Sequence, residues 1–176
     1  MLGRRRNPGV ERKNIYNVLF LCTGNSARSI LAEAILNRLG EGRFRAYSAG
    51  SHPKGEVHPL TVDLLRDLGY TTREVRSKSW DEFSKPGAPE MDLVITVCDN
   101  AAGEACPFWA GRPVKAHWGV PDPVATEGDE ETRREAFQAA YRRLEVRLRR
   151  FAELDLATKS TTNLQMELER IGKIPG

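Results

Sequence analysis

Residues 17–36, NVLFLCTGNSARSILAEAIL, decide the fold. Up to Leu21 the run is apolar without alternation, the pattern of a parallel strand buried on both faces. From Ala27 onward, Ile30, Leu31, Ala34, Ile35 and Leu39 recur at helical spacing, and Gly40 stops the helix. A short polar loop, CTGNSAR, joins the two. It places a thiol, Cys22, and a guanidinium, Arg28, on the turn between a strand and a helix.

The alternation continues outward. Strands are predicted at 15–21, 44–50, 91–97 and 112–118, with helices at 27–39, 58–70 and 129–152. Pro59 opens the second helix and Gly69 closes it. The long helix repeats Phe137, Tyr141, Leu144, Leu148 and Phe151 every three to four residues. This order predicts a three-layer αβα fold with a central four-stranded parallel sheet and right-handed crossovers. Three segments are expected: a basic N-terminal extension at 1–14, one α/β domain at 15–152, and a C-terminal extension at 153–176 with one further helical segment.

Composition sets the bounds. The 176 residues carry 27 basic and 24 acidic side chains, a net charge of +3, too mild to argue for nucleic acid. The arginine-rich run 133–150 reads as a solvated helix face. No apolar run approaches the roughly 20 residues of a membrane span. The start, MLGRRRNPGVERKN, has no apolar core and does not read as a secretory signal. A cytoplasmic protein with no membrane contact is expected. The three cysteines are too few and odd in number for a disulfide scaffold, and no ligand spacing suggests a metal. No bound organic cofactor is expected.

At the carboxyl end of a strand in such a sheet, a loop is placed to bind a ligand. The helix beginning near Ala27 offers unpaired N–H groups and a positive dipole end. Gly24 and Asn25 tolerate positive φ and can turn further N–H groups inward. Thr23, Gly24, Asn25, Ser26, Ala27 and Arg28 would therefore cradle an oxyanion over Cys22. The same positive field should lower the Cys22 thiol pKa, and Ser29 can donate a hydrogen bond to the sulfur. Cys98 likewise follows a strand directly. Adjacent strands lie about 4.8 Å apart and disulfide Cα atoms about 5.5 Å, so a Cys22–Cys98 bond is within reach if the strands are neighbours. Cys106 lies eight residues further on, in the adaptable segment CDNAAGEAC.

VLFLCTGNSARSILAE resembles the signature of the low-molecular-weight protein tyrosine phosphatase superfamily, most closely its arsenate reductase branch. The block VCDNAAGEACPFWAGRPVKAHWGVPDP resembles the matching block of that branch, and the similarity runs from about residue 16 to residue 151. The resemblance implies a low-molecular-weight phosphatase-like fold and a reductase of arsenate, with phosphate or sulfate as mimics. Cys22 would attack arsenic, and Asp122 of the D-P pair would act as general acid. Cys98 would resolve the adduct, and Cys106 would take over the disulfide. Thioredoxin, or glutathione with glutaredoxin, would supply electrons. The superfamily's tyrosine phosphatases commonly carry an aromatic residue after D-P and a proline two residues after the loop arginine. Here Val124, Ala125 and Ile30 stand in those places. Phosphate monoester hydrolysis and a non-enzymatic thiol redox sensor are the alternatives. His117 and Trp118 are expected to be structural, and His52 and His58 have no assigned chemistry.

Overall fold

The computed structural model describes residues 13, 15–104, 107 and 109–176. Cys106 and nearly all of the N-terminal extension lie outside them. Four parallel strands, β1 (Tyr16–Cys22), β2 (Phe44–Gly50), β3 (Leu93–Thr96) and β4 (Val114–His117), form one sheet in the order β2-β1-β3-β4. Successive connections from β1 therefore run to opposite sides. The crevice at such a reversal, at the carboxyl ends of the strands, is where open α/β sheets bind ligands. Cys22 ends β1, and Cys98 follows β3, the strand hydrogen-bonded to β1.

Helices α1 (Arg28–Leu39), α2 (Pro59–Asp67), a single turn α3 (Asp99–Ala102), α4 (Glu130–Ala152) and α5 (Thr161–Gly172) complete the regular structure. The larger core lies between one sheet face and α1, α4 and α5; there Val18, Phe20 and Ile95 meet Ile35, Leu144 and Leu168. The opposite face has a thinner cover, in which Leu19, Leu21 and Val94 pack against Phe83, Met91 and Trp109. A 3-10 turn stands at Trp80–Phe83. Helix α2 starts on His58, whose Nδ1 accepts from Leu60 N, and has Pro59 as its first residue. Helix α4 starts on Asp129 and buries all five residues of the predicted stripe.

The strands and helices match the sequence expectations to within a few residues at the ends. Arg147 departs from its expected place. In the arginine-rich run read as a solvated face, it is buried, with Nη1 donating to Gly119 O at 3.1 Å and Nε to Ile174 O at 3.0 Å. The carbonyls it meets belong to the loop after β4 and to the segment after α5. It thus ties the C-terminal segment to the loop that carries Asp122. Helix α5 packs on β4, and Trp118 Nε1 donates to Leu168 O at 2.9 Å. Among the described residues, no helix is long and apolar enough to cross a membrane.

Leu168 is fully buried between α5 and the sheet. Leu168→Ala should cost about 2–5 kcal/mol, read as a lower midpoint in urea with an unchanged slope. A midpoint that does not move would show that α5 lies outside the cooperative core.

Candidate active site

The loop from Cys22 to Arg28 is held by its carbonyls. Those of Cys22, Thr23 and Gly24 accept from the backbone N–H groups of Ser51, His52 and Lys54, at 3.3, 2.9 and 3.0 Å. Ser26 O accepts from His58 N and from Thr61 Oγ1. In a trans peptide the N–H points opposite to the C=O. Tying these carbonyls to the surrounding chain therefore turns the loop amides toward the cavity. Gly50 lies so close that a Cβ there would sit 2.5 Å from Thr23 O. Helix α1 begins at Ala27 with no side-chain cap, so its first N–H groups open onto the same cavity.

Asn25 is the turning point. Its φ of 44° is in the left-handed region, its side chain is fully buried, and its N–H donates to Cys22 Sγ at 3.1 Å. Its side-chain Nδ2 donates to Ser29 Oγ at 2.8 Å and to Ser48 Oγ at 3.1 Å, while Oδ1 accepts from Lys78 N at 2.8 Å. Ser29 Oγ lies 3.0 Å from Cys22 Sγ. With its oxygen accepting from Asn25, the Ser29 hydroxyl is free to donate to the sulfur.

Beneath this lies an ion pair of a buried lysine and a partly buried glutamate. Lys78 Nζ is 3.1 Å from Ser48 Oγ and 3.5 Å from Glu33 Oε2, and Ser48 also donates to Glu33. Burial pushes the Glu33 carboxyl up and the Lys78 ammonium down, and each partner opposes the shift of the other. Lys78, Glu33 and Ser48 were not singled out in the sequence. They come from three separate elements, and no local pattern joins them.

The Cys22 thiol carries a correction. Its pKa was expected to fall, but in this arrangement burial pushes it up, and the neighbouring Cys98 adds to the rise. Hydrogen bonds from Ser29 and from the Asn25 and Ser29 amides pull it back only in part. The loop has the donors that the sequence implied. The sulfur also has almost no contact with water, and desolvation outweighs them.

The remaining site residues gather around one opening. Thr23, Gly24, Ser26, Ala27 and Arg28 line a cavity of about 240 Å³ together with Cys22, His52, Lys54, Asn100, Asp122 and Val124. Asp122 sits on the loop after β4, and its Oδ1 accepts from Val124 N at 3.0 Å. Arg28 leans toward that loop: Nη1 donates to Val120 O at 2.9 Å, and Nη2 is 3.6 Å from Asp122 Oδ2. Cys98 is a buried free thiol, as is Cys22. Its sulfur lies 3.7 Å from Thr23 Oγ1 and accepts from Ala101 N at 3.4 Å. Thr23 also donates to Glu104 Oε1 at 3.3 Å, a carboxylate that no sequence pattern flagged. His117 bridges Thr96 Oγ1 and Asp99 Oδ1, at 2.7 and 2.8 Å, and so fastens α3 to β4. Cys106 is outside the described residues.

Residues 17–166 match the family described as low molecular weight phosphotyrosine protein phosphatase. The chain belongs to this family. Curated relatives that it resembles include arsenate reductases. One from Bacillus licheniformis is 37% identical over 144 residues, which cover 82% of this chain and 98% of the relative. A solved arsenate reductase in the phosphate-binding state shares 26% identity and a TM-score of 0.58, over 76% of this chain and 96% of the other. A thioredoxin-dependent arsenate reductase of Corynebacterium glutamicum shares 25% identity and a TM-score of 0.53, over 76% of this chain. This chain spans 60% of that protein's length.

The Ser29 hydrogen bond pulls the Cys22 thiol pKa down against the effect of burial. Ser29→Ala removes it, so the pH dependence of Cys22 alkylation by iodoacetamide should move to higher pH. A profile superimposable on the wild type would mean that the serine does not act on the sulfur.

Proposed function

We propose that this chain reduces arsenate to arsenite by a thiol relay. The observation that carries the reading is Cys98, a free thiol beside the Cys22 loop, after the strand paired with β1. Hydrolysis of a phosphate ester needs one thiol, an anion cradle and an acid. A second thiol in contact with the loop serves a reaction that transfers electrons. The arsenate reductase names of the curated relatives support the same choice.

In the proposed first step, arsenate occupies the inward-facing amides between Cys22 and Arg28. The entering oxyanion is itself a base, so the raised thiol of Cys22 can give up its proton within the complex. Sulfur attacks arsenic, an S–As bond forms, and one As–O bond breaks. Asp122 protonates the departing oxygen, which leaves as water. Arg28 turns from Val120 O and Asp122 toward the substrate oxygens, a planar fork suited to two of them. In the second step, Cys98 attacks Cys22 Sγ. The S–S bond forms, the S–As bond breaks, and its electron pair stays on arsenic, which becomes arsenite. Cys106 then attacks Cys98 and frees Cys22. The resulting Cys98–Cys106 disulfide passes to an external dithiol by exchange.

The donor we favour is thioredoxin, because one solved relative is described as thioredoxin-dependent. Glutathione with glutaredoxin is the other arm of the test. A relay of free thiols works in a reducing compartment, which supports the cytoplasm as the location of the proposed activity.

Arsenate turnover coupled to thioredoxin and its reductase should proceed, and Cys22→Ser should abolish it. Cys98→Ser should abolish it too, while hydrolysis of p-nitrophenyl phosphate persists. Asp122→Asn should lower both activities by about 10²–10⁴-fold. Unchanged arsenate turnover in Cys98→Ser would rule out the relay. Turnover with glutathione and glutaredoxin alone would reassign the donor.

A further inference from the structure

Glu104 follows the single turn α3 and reaches back to the Cys22 loop. Thr23 Oγ1 donates to Glu104 Oε1 at 3.3 Å. A threonine hydroxyl has one proton, so with that proton directed at Glu104 its oxygen is left to accept. The neighbour on that side is Cys98 Sγ, at 3.7 Å. The three groups form a directed chain, from the Cys98 S–H through the Thr23 hydroxyl to the Glu104 carboxylate. Glu104 Oε2 is buried and has no hydrogen-bond partner among the described residues.

The other carboxylates around Cys98 are already engaged. Arg28, Asp99, Asp122 and Arg143 line the cavity beside it. Asp99 is paired with His117 at 2.8 Å, and Asp122 lies 3.6 Å from Arg28. Cys22 ends β1, the strand paired with the one that Cys98 follows. Among the described residues, Glu104 makes no ion pair, and it is the carboxylate linked to Cys98 through a hydroxyl.

We infer that Glu104, acting through Thr23, accepts the proton of Cys98 as Cys98 attacks. The inference rests on the arsenate-reducing function proposed above. As the Cys98 sulfur approaches Cys22 Sγ, its proton passes to Thr23 Oγ1 and the proton of Thr23 passes to Glu104 Oε1. The S–S bond forms and the S–As bond breaks, with its electron pair left on arsenic. The two sulfurs are oxidised to the disulfide, and arsenic(V) is reduced to arsenic(III). Glu104 afterwards returns its proton to water. Glu104 is a positioning residue and proton acceptor. It touches neither arsenic nor the sulfurs.

Glu104→Gln keeps an oxygen for Thr23 and loses the ability to take a proton. Arsenate turnover should fall about 10²-fold near neutral pH and recover toward the wild type in alkaline solution, where hydroxide can take the proton in place of the carboxylate. Thr23→Val should show the same profile, and the double variant should lose no more than either single one. A Glu104→Gln profile superimposed on the wild type, or lowered equally at every pH, overturns the inference. If the wild-type chain turns over no arsenate, the functional reading fails. The inference is then judged on Cys98 alone, by peptide-resolved iodoacetamide labelling. Labelling at neutral pH, relative to alkaline pH, slowed in Glu104→Gln supports it; equal ratios overturn it.

Discussion

The site depends on the left-handed turn at Asn25. That turn lets the Asn25 N–H reach Cys22 Sγ while its side chain holds Ser29, Ser48 and the Lys78 backbone. Both polar atoms of the side chain are buried, so each needs its partners. A buried donor or acceptor left unmatched costs about 1–3 kcal/mol. Asparagine meets both requirements, because it tolerates positive φ and can satisfy donors and an acceptor at once. The loop amides point inward because this one residue reverses the chain among fixed partners.

Below that turn, Glu33 and Lys78 bring two charges into the protein at a desolvation cost. Each alone would be a severe defect, and together with Ser48 they form a satisfied cluster. The cluster joins α1, β2 and the segment before the 3-10 turn under a loop that has no hydrophobic core of its own. Sheet topology supplies the other constraint. With β1 hydrogen-bonded to β3, the residues at the carboxyl ends of these strands share one rim, which carries both thiols.

The legible parts of the chain were those with local signals. Short apolar runs marked β1 and β3, the stripe from Phe137 to Phe151 marked α4, and Gly24-Asn25 between a strand and a helix marked the loop at the site. Parts built from distant polar contacts were not legible. Asn25 meets Lys78 across 53 residues, and Thr23 meets Glu104 across 81. Arg147 looked like its neighbours on a charged helix because nothing local says that a chain end will cover it. The direction of the Cys22 shift failed for a related reason. The loop's donors can be read from sequence, whereas the burial that outweighs them is a property of the whole fold.

Arg28 cannot serve two partners fully. Its guanidinium holds Val120 O and faces Asp122, yet its place on the loop aims it at any anion above Cys22. An oxyanion with two or more negative charges competes for that fork better than a single exposed carboxylate does, because bidentate charge-assisted contacts are the stronger ones. Drawing Arg28 inward would release Val120 O and Asp122, so in the proposed mechanism filling the cradle and freeing the acid are one movement, and the β4 loop that carries Val120 and Asp122 needs a firm anchor for it to work. Arg147 supplies one by gripping Gly119 O, one residue before Val120, from inside α4.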